Sequence, residues 1–118
     1  MTTLIACLLT GKGTWSDVTR LANNADWEHI YLITNDFGKQ NYTPQKKDKT
    51  TLIVVNEDLD YQHIIDALKP SFATLFGEVA VNLASGTGKV HMAALAALLQ
   101  SGAGIRLVVP TEQSFREL

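Results

Sequence analysis

The chain has 118 residues, of which 46% are hydrophobic and 19% charged, and its formal net charge is -2. This length predicts one domain, 1–118, with one buried core. The charge argues against a general surface for duplex nucleic acid, because such surfaces need clustered Lys and Arg. No apolar run approaches the roughly 18 residues of a membrane span. No basic leader precedes the first apolar run, so we expect a cytoplasmic protein without a signal peptide.

The first apolar run, residues 3–9, is continuous, as in a strand that is buried on both faces. Cys7 is the one cysteine of the chain and lies within this run, where we expect it to act as a small buried apolar residue. Residues 10–14 then interrupt the run with two glycines and a lysine. A helix is predicted from Trp15 to about Ala25.

Strands and helices are predicted to alternate along the rest of the chain. The strands are at 29–35, 50–56, 78–84 and 105–109, and the helices run from 58 or 60 to about 68 and from 89 to about 101. Residues 36–49 are polar and basic, and they predict a long loop that is either solvated or a lid that grips phosphate. Pro70 follows the second predicted helix, and 71–76 fit either a further helical turn or a connector.

This alternation specifies βαβ units and therefore a mainly parallel sheet with right-handed crossovers. The predicted fold is an α/β, Rossmann-like, three-layer domain with about five strands in the order 3-2-1-4-5. Strands 1 and 4 are neighbours in this order, and ligands bind outside their carboxyl ends. The loops 10–14 and 85–89 are thus predicted to share one cleft. Asn35, at the end of the second strand, is a further candidate for ligand binding.

The loop after the fourth strand carries the strongest candidate residues. Gly86 and Gly88 allow a ligand to approach the backbone, and a helix N-terminus presents unpaired N–H groups to an anion. Ser85 and Thr87 add hydroxyl groups, and Lys89 adds a positive charge. The alternative is an ordinary tight turn in which Ser85 or Thr87 caps the helix.

The loop after the first strand has a related composition. Thr10 or Lys12 is a candidate to position a ribose or a phosphate, and Gly11, Gly13 and Thr14 are candidates for ligand binding.

Two nucleotide-binding motifs are not matched. Leu83 stands where the first glycine of a P-loop belongs, and Val90 stands in place of the magnesium-binding hydroxyl. Ser16 occupies the position of the third glycine of a dinucleotide-binding motif. These departures disfavour hydrolysis of nucleoside triphosphates and weaken the case for a dinucleotide-dependent dehydrogenase.

No metal site or cofactor is predicted. The acidic residues at 57, 58 and 60 precede a helix, where acids usually act as caps. The three histidines share no zinc-type spacing with cysteine or acids. His91 lies near Lys89 in sequence, but we expect it to point elsewhere on the helix.

The last predicted helix has no charged residue from Val90 to Ile105. A helix that is apolar on all sides must be buried on all sides. We expect the sheet to cover one face and a second subunit to cover the other, which predicts a two-fold homodimer.

Residues 82–89 (Asn-Leu-Ala-Ser-Gly-Thr-Gly-Lys) and the Ala-rich helix that follows resemble the corresponding part of a CARF domain, the CRISPR-associated Rossmann-fold domain. The specific part of the resemblance extends from 82 to about 108. CARF domains are dimers that bind cyclic oligoadenylate across the two-fold axis in type III CRISPR signalling. Most members carry an effector after this domain. At this length we expect a stand-alone member, a group that includes ring nucleases.

The resemblance implies that cyclic oligoadenylate, most simply the tetra-adenylate, is the ligand. In a ring nuclease the ribose 2′-hydroxyl of the ligand attacks the adjacent phosphodiester without a metal. Lys89 would then stabilise charge on the phosphate, with Thr10 or Lys12 as its catalytic partner. Two alternatives stay open: a sensor that binds the ring without cleaving it, and a Rossmann-like domain for a mononucleotide, NAD or flavin.

Overall fold

The computed structural model describes residues 2–9 and 14–118, and within them one mostly parallel sheet has six strands in the order β3-β2-β1-β4-β5-β6. The strands are β1 (Thr3–Leu8), β2 (His29–Thr34), β3 (Thr50–Val54), β4 (Glu78–Asn82), β5 (Gly104–Pro110) and β6 (Phe115–Glu117). The α-helices are α1 (Trp15–Asn24), α2 (Asp36–Asn41), α3 (Tyr61–Phe72) and α4 (Gly88–Ser101). The predicted order of the first five strands is confirmed, and the antiparallel sixth strand was not predicted.

Helices cover both faces of the sheet, and successive side chains of β1 therefore point into two different cores. One core contains α1, and the other contains α3 and α4. Leu4, Ala6 and Leu8 face α1, whereas Ile5 and Cys7 face α3 and α4. Cys7 is fully buried, as predicted, and burial raises the pKa of its thiol to about 12. These three layers are the arrangement expected of a Rossmann-like fold.

β1 lies at the centre of the parallel strands, with β2 on one side and β4 on the other. Leu8 is paired with Thr34 at the carboxyl end, and the Thr34 hydroxyl donates a 2.6 Å hydrogen bond to the Leu8 carbonyl. The carboxyl ends of β1, β2 and β4 therefore meet at one edge of the sheet, as the strand order requires.

The prediction of a long loop over 36–49 was wrong, because the segment forms α2 and a 3-10 helix, Lys47–Lys49. The Asn35 side chain caps α2 by accepting a 2.9 Å hydrogen bond from the Gly38 amide. Gly38 is buried, and a Cβ at this position would overlap the Thr34 hydroxyl. A short helix of polar residues around one buried glycine has too few apolar positions to show a helical period.

Of the two alternatives for 71–76, the structure has a further helical turn, because α3 continues to Phe72 with Pro70 inside it. A proline in a helix removes one hydrogen bond, but Pro70 and Asp66, four residues earlier, are exposed, so water can bond the freed carbonyl. Phe72 is buried in the core, and the Ala73 amide bonds the Lys69 carbonyl at 2.9 Å. Burial of the Phe72 ring favours the additional turn.

β6 forms the edge of the sheet next to β5, and side-chain contacts hold it there. Phe115 stacks on Trp27 with ring centroids 4.9 Å apart. The Arg106 guanidinium bonds the carboxylates of Glu78 and Glu117, with its two terminal nitrogens at 2.9 Å from them. This bonding lowers the pKa of Glu78 and raises that of Arg106.

Among the described residues, none of the helices has the length and apolar character needed to cross a membrane.

Candidate functional site

The ends of β1 and β4 are joined at the carboxyl edge of the sheet. The Leu9 amide donates a 2.8 Å hydrogen bond to the Ser85 hydroxyl oxygen, and both residues are buried. The indole N–H of Trp15 donates to the Leu9 carbonyl at 3.0 Å. Leu9 and Ser85, which follow β1 and β4, therefore lie side by side at the point where strand order places a ligand site.

Four of the candidate residues lie outside the described residues: Thr10, Gly11, Lys12 and Gly13. Their roles stay predictions. Thr14 is half-buried and directly precedes α1.

The two hydroxyl groups of the β4–α4 loop have structural contacts. Ser85 is fully buried, and its oxygen is the one that accepts from Leu9. Thr87 caps α4 by accepting a 3.4 Å hydrogen bond from the Val90 amide. Both residues shape the loop, and Thr87 also lines the cleft described below.

The two glycines of this loop differ in their surroundings. Gly86 has a φ of +105°, and a Cβ there would lie 3.0 Å from the Leu9 side chain. A larger residue at this position would be strained and crowded. A Cβ on Gly88, the first residue of α4, would meet no heavy atom within 4 Å, so the space over its backbone is open. Of the two, only Gly88 offers room for a ligand.

His91 lies against the start of the same loop, a contact that was not predicted. Its Nε2 is 2.7 Å from the Ser85 carbonyl oxygen. Because a carbonyl only accepts, this ring nitrogen is the donor. Helical side chains point toward the N-terminus, which brings the imidazole from the first turn of α4 over the Ser85–Gly86 turn. His91 thus holds the loop in place.

An open cleft of about 550 Å³ lies at the carboxyl edge of the sheet. It brings together three predicted site residues, Asn35, Thr87 and Lys89. Its other lining residues are Leu9, Phe37, Glu57 and Asp58. No ligand role was predicted for Phe37 or for the two acids. The available signal was that Asn35 and Glu57 each follow the carboxyl end of a strand.

Glu57 connects three elements around this cleft. Lys89, on α4, donates from Nζ to the Glu57 backbone carbonyl at 3.2 Å. Asn35, the residue after β2, donates from its amide to the Glu57 carboxylate at 2.7 Å. Glu57 itself lies in the loop between β3 and α3. These two contacts hold the loop against the cleft.

The cleft is lined by groups of both charges. Lys89 lies at the N-terminus of α4, a helix of 14 residues whose dipole places positive charge there. Glu57 and Asp58, which carry carboxylates, line the same cleft. Such a cleft suits a ligand that carries both an anionic group and hydrogen-bond donors.

Asp60 acts as a helix cap. Its carboxylate accepts a 3.0 Å hydrogen bond from the His63 amide at the start of α3. Bonding from the His63 amide and then from its ring lowers the pKa of this exposed carboxyl. Within residues 2–9 and 14–118, no group of three or more His, Cys, Asp or Glu side chains is arranged to hold a metal ion.

Contacts within one subunit cover more of α4 than the single face that the sheet was expected to cover. It packs on the sheet and also on α3, so intramolecular contacts bury a wider part of its surface than one face. Ala93, Ala94, Ala97 and Leu98 are buried. Met92 and Leu99, seven residues apart, are 62% and 69% exposed and lie on the uncovered side.

No protein-family model matches the chain, and no curated protein matches it at a significant level.

Proposed function

We propose that the protein binds a cyclic oligoadenylate, most simply cyclic tetra-adenylate, and cleaves it without a metal as a ring nuclease of type III CRISPR signalling in the cytoplasm. One observation carries the proposal: the Leu9–Ser85 hydrogen bond joins the ends of β1 and β4 beside the N-terminus of α4, where the space over Gly88 is open. The resemblance of residues 82–89 to a CARF domain supports the class of ligand.

The N-terminus of α4 is suited to a phosphate group. Backbone N–H groups of a first helical turn bind anions, and the open space over Gly88 leaves room for phosphate oxygens to approach them. The ammonium group of Lys89, one residue further on, supplies a positive charge at the same place. Phosphate bound there would compete with the Glu57 carbonyl for Lys89.

The proposed reaction needs only positioning and charge stabilisation. The ribose 2′-oxygen attacks the adjacent phosphorus and loses its proton, while the bond from phosphorus to the 5′-oxygen breaks and that oxygen gains a proton. The products are a 2′,3′-cyclic phosphate and a 5′-hydroxyl. Lys89 stabilises the charge that develops on the phosphate oxygens, and Thr10 or Lys12 holds the hydroxyl in line.

The proposed assembly is a homodimer, because a symmetric ring fits a two-fold axis between identical clefts. The face of α4 that carries Met92 and Leu99 is exposed and apolar. α4 has no charged residue after Lys89, so two copies of this face meet without like-charge repulsion. This face is the proposed contact between subunits.

A sensor that binds the ring without cleaving it is the second candidate. Two carboxylates and one described lysine line the cleft, and that lysine already bonds the Glu57 carbonyl. This charge balance provides little stabilisation of a developing negative charge, and it therefore favours binding over rapid cleavage.

The stoichiometry of binding tests the proposal. Isothermal titration with cyclic tetra-adenylate and cyclic hexa-adenylate, together with native mass spectrometry, should give one ring per dimer. One ligand per monomer would favour a mononucleotide-binding domain. A protein that binds neither ring would refute the proposed function.

A further inference from the structure

We propose that Phe37 and Glu57 form a base-recognition subsite that selects adenine, by its exocyclic amine, over bases with a carbonyl at that position. The inference deepens the proposed function and rests on it. The observation is a juxtaposition: a half-exposed aromatic ring and an oriented carboxylate line the same cleft as Lys89.

Phe37 is placed to stack a base. It is the second residue of α2, and 52% of its surface is exposed although it is a large apolar residue. Its ring centroid lies 5.9 Å from that of Trp15, which is buried and bonded to the Leu9 carbonyl. Aromatic side chains at open clefts provide stacking surfaces for nucleobases.

The Glu57 carboxylate is held in one orientation by Asn35. The Asn35 oxygen accepts from the Gly38 amide at 2.9 Å, which leaves the amide nitrogen directed at Glu57, 2.7 Å away. This second contact fixes the carboxylate at the cleft wall. An ionised carboxylate accepts about four hydrogen bonds, so it retains capacity for a donor on a ligand.

The Glu57 carboxylate discriminates between purines by hydrogen bonding. Adenine presents an amine, a donor, at the position where hypoxanthine and guanine present a carbonyl oxygen. A carboxylate beside the N7 edge of the base accepts from the amine and repels the carbonyl oxygen, because the N1–H of hypoxanthine and guanine lies on the other side of that group. Glu57 and Lys89 line the same cleft, so a nucleotide whose phosphate binds at Lys89 has its base within reach of the carboxylate, and this gives an acidic residue a role in a cleft for an anionic ligand.

A comparison of two rings that differ only in the base tests the subsite. Cyclic tetra-adenylate and cyclic tetra-inosinate share the same ribose hydroxyls and phosphates. Titration of the full chain with each ring should show about tenfold or more preference for the adenine ring. Glu57→Gln should reduce that preference below about threefold, because the new amide can donate to the hypoxanthine oxygen.

Asp58→Asn is the matched control, since it removes the same charge from the same cleft. It should change the affinity for both rings equally and leave the ratio unchanged. Phe37→Leu should weaken both rings about tenfold, and Phe37→Tyr should restore binding, because stacking depends on the ring and not on the identity of the base. Melting curves establish that each variant is folded.

The ways in which this test can fail are distinguishable. Equal wild-type affinity for both rings, or a ratio that Glu57→Gln does not change, would overturn base recognition and leave the proposed function standing. A parallel loss for both rings in Glu57→Gln would assign the carboxylate to a ribose hydroxyl and overturn the inference. Binding of neither ring would refute the proposed function, and the subsite with it.

Discussion

The Leu9 amide and the Ser85 hydroxyl are 76 positions apart in the chain and form a buried 2.8 Å hydrogen bond. Leu9 follows β1 and Ser85 follows β4, the two strands at which the direction of the sheet crossovers reverses. One hydroxyl therefore joins the chain after β1 to the chain after β4 at the edge of the proposed site.

Removal of this hydroxyl should destabilise the fold. Ser85→Ala leaves the buried Leu9 amide without its partner, and we expect the free energy of unfolding to fall by about 1–3 kcal/mol. Urea denaturation measures the change. The same truncation at Ser114, in the β5–β6 turn, should change stability by less than about 0.5 kcal/mol. Equal effects at the two positions would show that the Leu9–Ser85 bond contributes nothing to stability.

Two glycine-to-alanine substitutions should have opposite effects. Gly38→Ala places a Cβ on the Thr34 hydroxyl and should cost about 1–3 kcal/mol of stability. Gly88→Ala meets no atom within 4 Å and should leave stability unchanged or raise it by up to about 1 kcal/mol. Gly88→Ala should nevertheless weaken ring binding, because its methyl group fills the space proposed for phosphate. Normal affinity in this folded variant would place the phosphate elsewhere.

The dimer proposal predicts that a charge on the exposed face of α4 separates the subunits. Leu99→Asp should give a folded monomer by light scattering at micromolar concentration. Gln100→Asp adds the same charge at the neighbouring exposed position and should leave the dimer intact if that position lies outside the contact. Leu98→Asp is not a test, because Leu98 is fully buried and its substitution would unfold the subunit. A wild-type chain that is monomeric would contradict the proposed assembly.

The Asp60 cap predicts a pH-dependent contribution to stability. The pKa of Asp60 in the folded state lies below its ordinary value of 3.8. Its contribution is therefore present above that value and is lost as the pH falls through the folded-state pKa. Asp60→Asn keeps a capping oxygen but does not titrate. Urea midpoints of the two proteins should differ most at neutral pH and converge in acid; a constant difference would exclude this role.

The fold was predictable where the pattern is local. Continuous apolar strands that alternate with helices were sufficient to predict the order of the first five strands. α2 was missed because Gly38 packs on Thr34, a contact that no period reveals. β6 was missed because it has only three residues, all exposed, and because its aromatic contact, that of Phe115 with Trp27, joins positions distant in sequence.

The site was predictable only in part. Asn35, Thr87 and Lys89 were identified because they follow strand ends or begin a helix, and they line one cleft. Phe37 and Glu57 were not identified, because their proximity depends on the pairing of β2 with β3 and on the hydrogen bond from Asn35. The contact of His91 with the Ser85 carbonyl was not predicted, because it depends on the direction of a helical side chain toward the N-terminus of its helix.

The most direct test of ring cleavage is incubation of the protein with cyclic tetra-adenylate in excess EDTA, followed by chromatography of the products. We expect linear fragments with 2′,3′-cyclic phosphate ends, formed slowly because few groups stabilise the charge on the phosphate. Lys89→Ala should form them about a hundredfold more slowly, whereas Lys69→Ala, an exposed lysine on α3, should match the wild type. An intact ring after long incubation with bound protein would contradict cleavage.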